Sequence, residues 1–151
     1  MIISAQRKFG LYSILMKPEA GFLEREHTAD WELEVWAPDF LGLLDQAARG
    51  MYALSGIRLD AGSRQSHVLH LSAYDRESLL VKFLSELLVL GEQERLGFDL
   101  FTFLLEGSSL RVILEGAAIC SQDKEIKAVT YHNLSVRETE EGLKVNIVFD
   151  V

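Results

Sequence analysis

The sequence predicts an α+β domain, a two-layer sandwich in which a mostly antiparallel sheet packs against two helices. Three observations carry this. Two stretches, one after Asp39 and one after Asp75, repeat apolar residues at helical spacing. Several others alternate apolar and polar residues with the period of a half-buried strand. Short glycine-bearing turns, Gly107-Ser108-Ser109 and Glu140-Glu141-Gly142, join alternating segments as hairpins do.

Along the chain, residues 22 to 37 read as a strand, a bend at His27-Thr28-Ala29, and a second strand. In the second, Trp31, Leu33 and Val35 share one face; Asp30, Glu32, Glu34 and Trp36 share the other. Asp39 is placed to cap a helix whose stripe is Phe40, Leu44, Ala47, Ala48, Met51 and Leu54, and Gly56 is placed to end it. Gly42 and Gly50 interrupt that helix, which implies close packing against a sheet. Gln65 to Ala73 alternates, with His67, Leu69, Leu71 and Ala73 opposing Val68, His70 and Ser72. Asp75 caps the second helix, where Leu79, Leu80, Phe83, Leu84, Leu87 and Leu88 form a broad buried face; Gly91 is expected to stop it.

Gly97 to Glu106 and Leu110 to Glu115 form the hairpin. A polar loop, Ser121 to Glu125, leads into a strand over Ile126 to His132, and Leu134 to Arg137 continues the strand pattern. In the last strand Leu143, Val145, Ile147, Phe149 and Val151 point to the core, and Lys144, Asn146, Val148 and Asp150 point out.

A chain of 151 residues, 48% hydrophobic, is long enough for one domain with its own core, taken as residues 21 to 151. Residues 1 to 20 read as a poorly packed N-terminal extension; Arg7-Lys8 before an apolar run only loosely imitates a signal sequence, and Met16 is a candidate natural start. No apolar run reaches the ~20 residues that a membrane-spanning helix needs. Cys120 is the only cysteine, so no internal disulfide and no cysteine zinc site can form, and a reducing, cytoplasmic setting is expected. The net charge of -8 argues against a broad basic surface gripping a nucleic-acid backbone. It suits a metal site, a basic protein partner, or simply an acidic soluble domain.

The chemistry-bearing residues cluster at two places in the chain. His27-Thr28-Ala29-Asp30 opens one strand and Phe149-Asp150-Val151 closes another. If those strands are neighbours, Asp30 and Asp150 meet on the polar side of the sheet, where two anions repel unless a cation or a proton relieves them. With the carbonyl of Val151 they make an all-oxygen set suited to Ca²⁺, Mg²⁺ or Mn²⁺. Pattern alone leaves open the alternative of two solvated aspartates at strand ends. His27 could orient a ligand or bond to backbone at a bend. His67 and His70, three apart on one strand, face opposite ways and form no metal pair. No nucleophile elbow and no glycine-rich phosphate loop is present.

His27-Thr28-Ala29-Asp30, Leu84-Ser85-Glu86-Leu87-Leu88, the run from Ile126 to His132, and Phe149-Asp150-Val151, in that order, resemble the archease family over about Gly21 to Val151. The resemblance implies an archease-like fold and a non-enzymatic role: a protein cofactor of the RtcB-type RNA ligase in tRNA splicing or RNA repair. It would promote ligase guanylylation and multiple turnover and touch RNA only indirectly, with no membrane involved. It also implies Asp30, Asp150 and the Val151 carbonyl as metal ligands, with His27, Lys127 and His132 as neighbouring or partner-facing residues. Many members carry a further histidine in the loop before Lys127; Cys120 and Ser121 stand here instead. Two other classes of function stay open: a chaperone-like modulator of nucleic-acid enzymes, which would not depend on metal, and a small metal-dependent hydrolase, which would need a general base beside the ion.

Overall fold

The structure, a computed structural model, describes residues 2–3, 18–25 and 30–151. Its elements in order are β1 (Ile2–Ile3), β2 (Gly21–Arg25), β3 (Trp31–Ala37), α1 (Phe40–Ser55), β4 (Arg58–Leu59), β5 (Gln65–Ser72), α2 (Arg76–Glu94), β6 (Leu96–Glu106), β7 (Ser109–Ser121), β8 (Ala128–Val129), β9 (Arg137–Thr139) and β10 (Gly142–Asp150). All strand pairs among the described residues are antiparallel, and both predicted helices are present, so the α+β class holds.

The strands divide into two hydrogen-bonded sheets. The first runs β1-β2-β3-β10-β8, with β9 also on β10; in the second, β7 is flanked by β4, β5 and β6. Sequence periodicity marks which residues are strands but not which strands pair, so this division is visible only in three dimensions.

Both helices begin as their aspartates predict. The Asp39 carboxylate accepts from the Gly42 N–H at 2.8 Å, and that of Asp75 from the Ser78 N–H at 2.7 Å. Gly56 ends α1 in the left-handed conformation, φ 66°. Gly50 lets α1 lie against the first sheet: a Cβ there would come within 2.5 Å of Leu33 Cδ2 and 2.8 Å of the Phe22 ring. The core is continuous, from Leu33, Val35, Ile147 and Phe149 of the first sheet through Leu44 and Met51 of α1 and Phe83 and Leu87 of α2 to Leu110 and Leu114 of the second.

Four expectations are corrected. The second helix does not stop at Gly91 but continues to Glu94 and ends on Arg95 in the left-handed region, φ 56°. A glycine inside a helix costs only about 1 kcal/mol, which packing of Leu84 and Leu87 readily offsets. The stretch from Ile126 to His132 is a strand only at Ala128–Val129, and Leu134 to Arg137 only from Arg137 onward. Between them Asn133 takes a positive φ of 52° and the Leu134 N–H bonds back to the Tyr131 carbonyl, which breaks the extended geometry. Glu34 and Trp36, assigned to the outward face of β3, are buried, at 3% and 6% exposed. Val148, likewise assigned outward, is 3% exposed. The Trp36 indole N–H donates to the Pro18 carbonyl at 2.7 Å, so backbone just before β2 reaches over that face. Of the extension itself, Ile2 and Ile3 pair with Leu23 and Phe22.

Candidate functional site

The polar face of β3 is a ladder of carboxylates, since Asp30, Glu32 and Glu34 fall at every second residue. The β3–β10 register sets what each one meets. Trp36 lies opposite Lys144, Glu34 opposite Asn146, Glu32 opposite Val148 and Trp31 opposite Phe149. The ladder ends at Phe149 opposite Trp31, so Asp150 and Asp30 are the next residues on the two strands at that end. The strands the sequence left unpaired are therefore neighbours, and the two aspartates stand at the end of their shared ladder. Asp150 is exposed and Asp30 half-buried, beyond the fully buried Phe149.

Further along the ladder, the buried Glu34 and the half-buried Glu32 meet cations or amides from the neighbouring strands. The Glu34 carboxylate accepts from Arg25 Nε at 2.8 Å and from Lys144 Nζ at 2.6 Å, and a second guanidinium nitrogen of Arg25 also contacts it. Glu34 thereby ties β2 to β10 across β3. Glu32 accepts from Asn146 Nδ2 at 3.2 Å, and Asn146 Oδ1 accepts in turn from Arg137 at 3.0 Å. Reading β3 by alternation alone missed this network. The signal available was a Glu-x-Glu strand flanked by single basic residues, Arg25 and Lys144, on strands that could pair with it.

The loop after β7 closes on the same end of the sheet. The backbone N–H groups of Asp123 and Lys124 both donate to the Ser55 carbonyl at 3.0 Å, which fastens the loop to the C-terminus of α1. From there the Lys124 ammonium reaches over the Trp31 ring, 4.7 Å from its centroid. The Lys127 N–H donates to the Asp150 carbonyl at 2.8 Å, and Ala128 pairs with Asp150. Lys127 lines a cleft of about 510 Å³ with Met51, Ser55, Leu88, Arg95 and Ile126. His132 is exposed beyond β8, its Nε2 3.3 Å from Asn133 Nδ2. His27 lies outside the described residues. His67 and His70 do face opposite ways: His67 packs edge-on against Phe98, and His70 is exposed.

Among the described residues no group of three or more His, Cys, Asp or Glu side chains gathers. The donor set on offer is two carboxylates across one strand pair, with the half-buried Val151 and its carbonyl next in the chain. Such a set fits a hard divalent cation that keeps part of its water shell, and the exposure of Asp150 leaves room for that water. It does not fit a structural zinc, which takes four nitrogen or sulfur ligands in most sites.

Fold and site together define a small α+β domain with an acidic strand end. Residues 22–151 match the family described as the Archease protein family. The chain is 31% identical over 138 residues to the archease of Methanosarcina acetivorans, covering 83% of this chain and 92% of that protein. It is 29% identical to an archease of Saccharolobus islandicus over 134 residues, 83% and 95% of the two chains. The solved structure of an archease from Thermotoga maritima superposes with a TM-score of 0.62 at 23% identity, over 90% of this chain and 97% of that one. Protein 1598 of Methanobacterium thermoautotrophicum gives 0.65 at 20% identity, over 86% and 98%. The chain belongs to the archease family.

Proposed function

We propose that this protein is a non-enzymatic, metal-binding cofactor that activates an RtcB-type RNA ligase in tRNA splicing or RNA repair. Membership of the archease family supports the class of function. The observation that supports the metal-dependent form of it is the β3–β10 register, whose last pair, Phe149 and Trp31, leaves Asp150 and Asp30 as the next residues on the two strands. Two like charges on directly opposed residues destabilise a strand pair, and a divalent ion held by both carboxylates and the Val151 carbonyl reverses the sign of that interaction. Ca²⁺, Mg²⁺ and Mn²⁺ all suit these ligands.

In this reading the protein performs no chemistry of its own. The acidic end of the sheet, with Lys127 beside it, His132 exposed beyond β8 and His27 in the segment before Asp30, meets the ligase. It promotes guanylylation and repeated turnover there. RNA contact is indirect, as a net charge of -8 favours a protein partner over a polyanion. The setting is a reducing cytoplasm, and among the described residues no helix is long and apolar enough to cross a membrane.

The test is an RNA-joining assay at limiting ligase, with and without this protein. Activation that disappears in Asp30→Ala and Asp150→Ala is expected. Activation that survives in both variants refutes the metal-site mechanism, and no activation by the native protein refutes the function. Turnover of RNA or GTP by the isolated protein that vanishes in Asp30→Ala would favour the hydrolase reading instead.

A further inference from the structure

β6 is eleven residues long and is bonded to β7 on one side only; among the described residues no strand lies along its other edge. Long edges of this kind are normally blunted by lysine, proline or a covering element, because they present unpaired N–H and C=O groups to other chains. From Leu100 to Glu106 this edge has no lysine and no proline. Leu100 and Leu104 point outward from the sheet, each 51% exposed, with the exposed Thr102 midway between them. On the opposite face Phe101 and Phe103 are only half-buried and stack on each other, ring centroids 6.1 Å apart. Each face of the strand end is thus symmetric about Thr102: Leu100-Thr102-Leu104 on one, Phe101-Phe103 on the other.

We propose that β6 is a self-association edge, where a second copy of this chain pairs antiparallel with it about a two-fold axis at Thr102. In that register Thr102 faces its own counterpart, Leu100 of each copy faces Leu104 of the other, and Phe101 faces Phe103. Moving the register by two residues sets a leucine against threonine and loses both leucine pairs. The flanking strands agree with the same axis. Across the sheet, His70 and Arg111 share a row with Leu104, Ser66 and Glu115 share one with Leu100, and Val68 and Ile113 share one with Thr102. The two-fold joins the Arg111 row of one copy to the Glu115 row of the other, so opposite charges fall in line and like charges never do. The middle row sets Val68 and Ile113 of each copy on either side of the paired Thr102 residues. At the other end of the strand the ladder shifts register between Phe98 and Leu100, and Asp99 in that bulge is held by Arg64 at 3.0 Å. The bulge turns the strand away there and limits pairing to the stretch centred on Thr102.

This inference is independent of the ligase reading, since it uses the opposite sheet from Asp30 and Asp150. The test is sedimentation of the full chain across micromolar concentrations, alone and as variants. The native protein should show a monomer–dimer equilibrium. Thr102→Lys and Thr102→Glu each set a like pair across the axis and should weaken the dimer about tenfold or more. Mixed one to one, they should restore it. Val68→Lys, on the same face but two strands from the edge, should leave it intact. Thermal melts of dilute samples should match for all of them, because both positions are exposed. A native chain that stays monomeric overturns the proposal. So does a dimer lost in Val68→Lys but kept in Thr102→Lys, which would mean stacking through the sheet face. Failure of the mixed variants to pair overturns the register.

Discussion

Replacing Asp150 separates the fold from the acidic strand end. Phe149 is fully buried and Asp150 exposed, so Asp150→Ala removes a carboxylate without opening a cavity. Without metal, the change should leave stability unchanged or raise it. Like charges on directly opposed strand residues cost up to about 1 kcal/mol, which corresponds to a melting rise of about 2–4 °C for a domain this size. With metal at a hundredfold excess over its dissociation constant, the native protein should gain about 2.7 kcal/mol, and the variant should lose most of that. Asp30→Ala should behave alike, and the double variant should add little, because both carboxylates act on one ion. The assay is thermal melting of the four proteins with and without Mg²⁺, Mn²⁺ and Ca²⁺. A full metal-dependent gain in Asp150→Ala would refute the shared site, as would a large loss of stability without metal.

Other variants probe the scaffold. Glu34→Gln should cost about 2 kcal/mol, because it keeps the shape but removes the buried charge that Arg25 and Lys144 both contact; the cost stays below that of a fully enclosed pair since both cations reach solvent. An unchanged denaturant midpoint would refute that. Asp75 is held below the usual carboxylate pKa by its bonds from Ser78, the backbone N–H foremost. Its contribution is therefore complete above the unfolded pKa near 4 and is lost as pH falls through the lower folded value, so Asp75→Asn should flatten the acid limb of the stability profile below about pH 4. Deleting residues 1–15 removes the Ile2–Ile3 pairing but leaves Pro18, which accepts from Trp36; we expect the melt to fall by no more than about 4 °C, and circular dichroism with calorimetry would show a larger loss if the extension were integral.

Local physics was legible in the sequence. Asp39 and Asp75 announce helix starts because a short carboxylate can bond the free N–H groups of a first turn, and both do. The last strand reads correctly at Leu143, Val145, Ile147 and Phe149, since a period of two is a property of the strand alone. The residues that identify the family are also strings in the sequence. What the sequence could not determine was pairing. The juxtaposition of Asp30 with Asp150 spans nearly the whole domain and exists only because β10 lies beside β3. Burial of Glu34 and Trp36 has the same origin: alternation assigns a side chain to a face, but whether that face is wet depends on which other segments cross it. Pro18 reaches Trp36, and Arg25 and Lys144 reach Glu34, from strands on either side. That no described strand lies beyond β6 was invisible for the same reason. An edge is not a property of a strand; it is the absence of a neighbour, and neighbours are chosen by the tertiary fold.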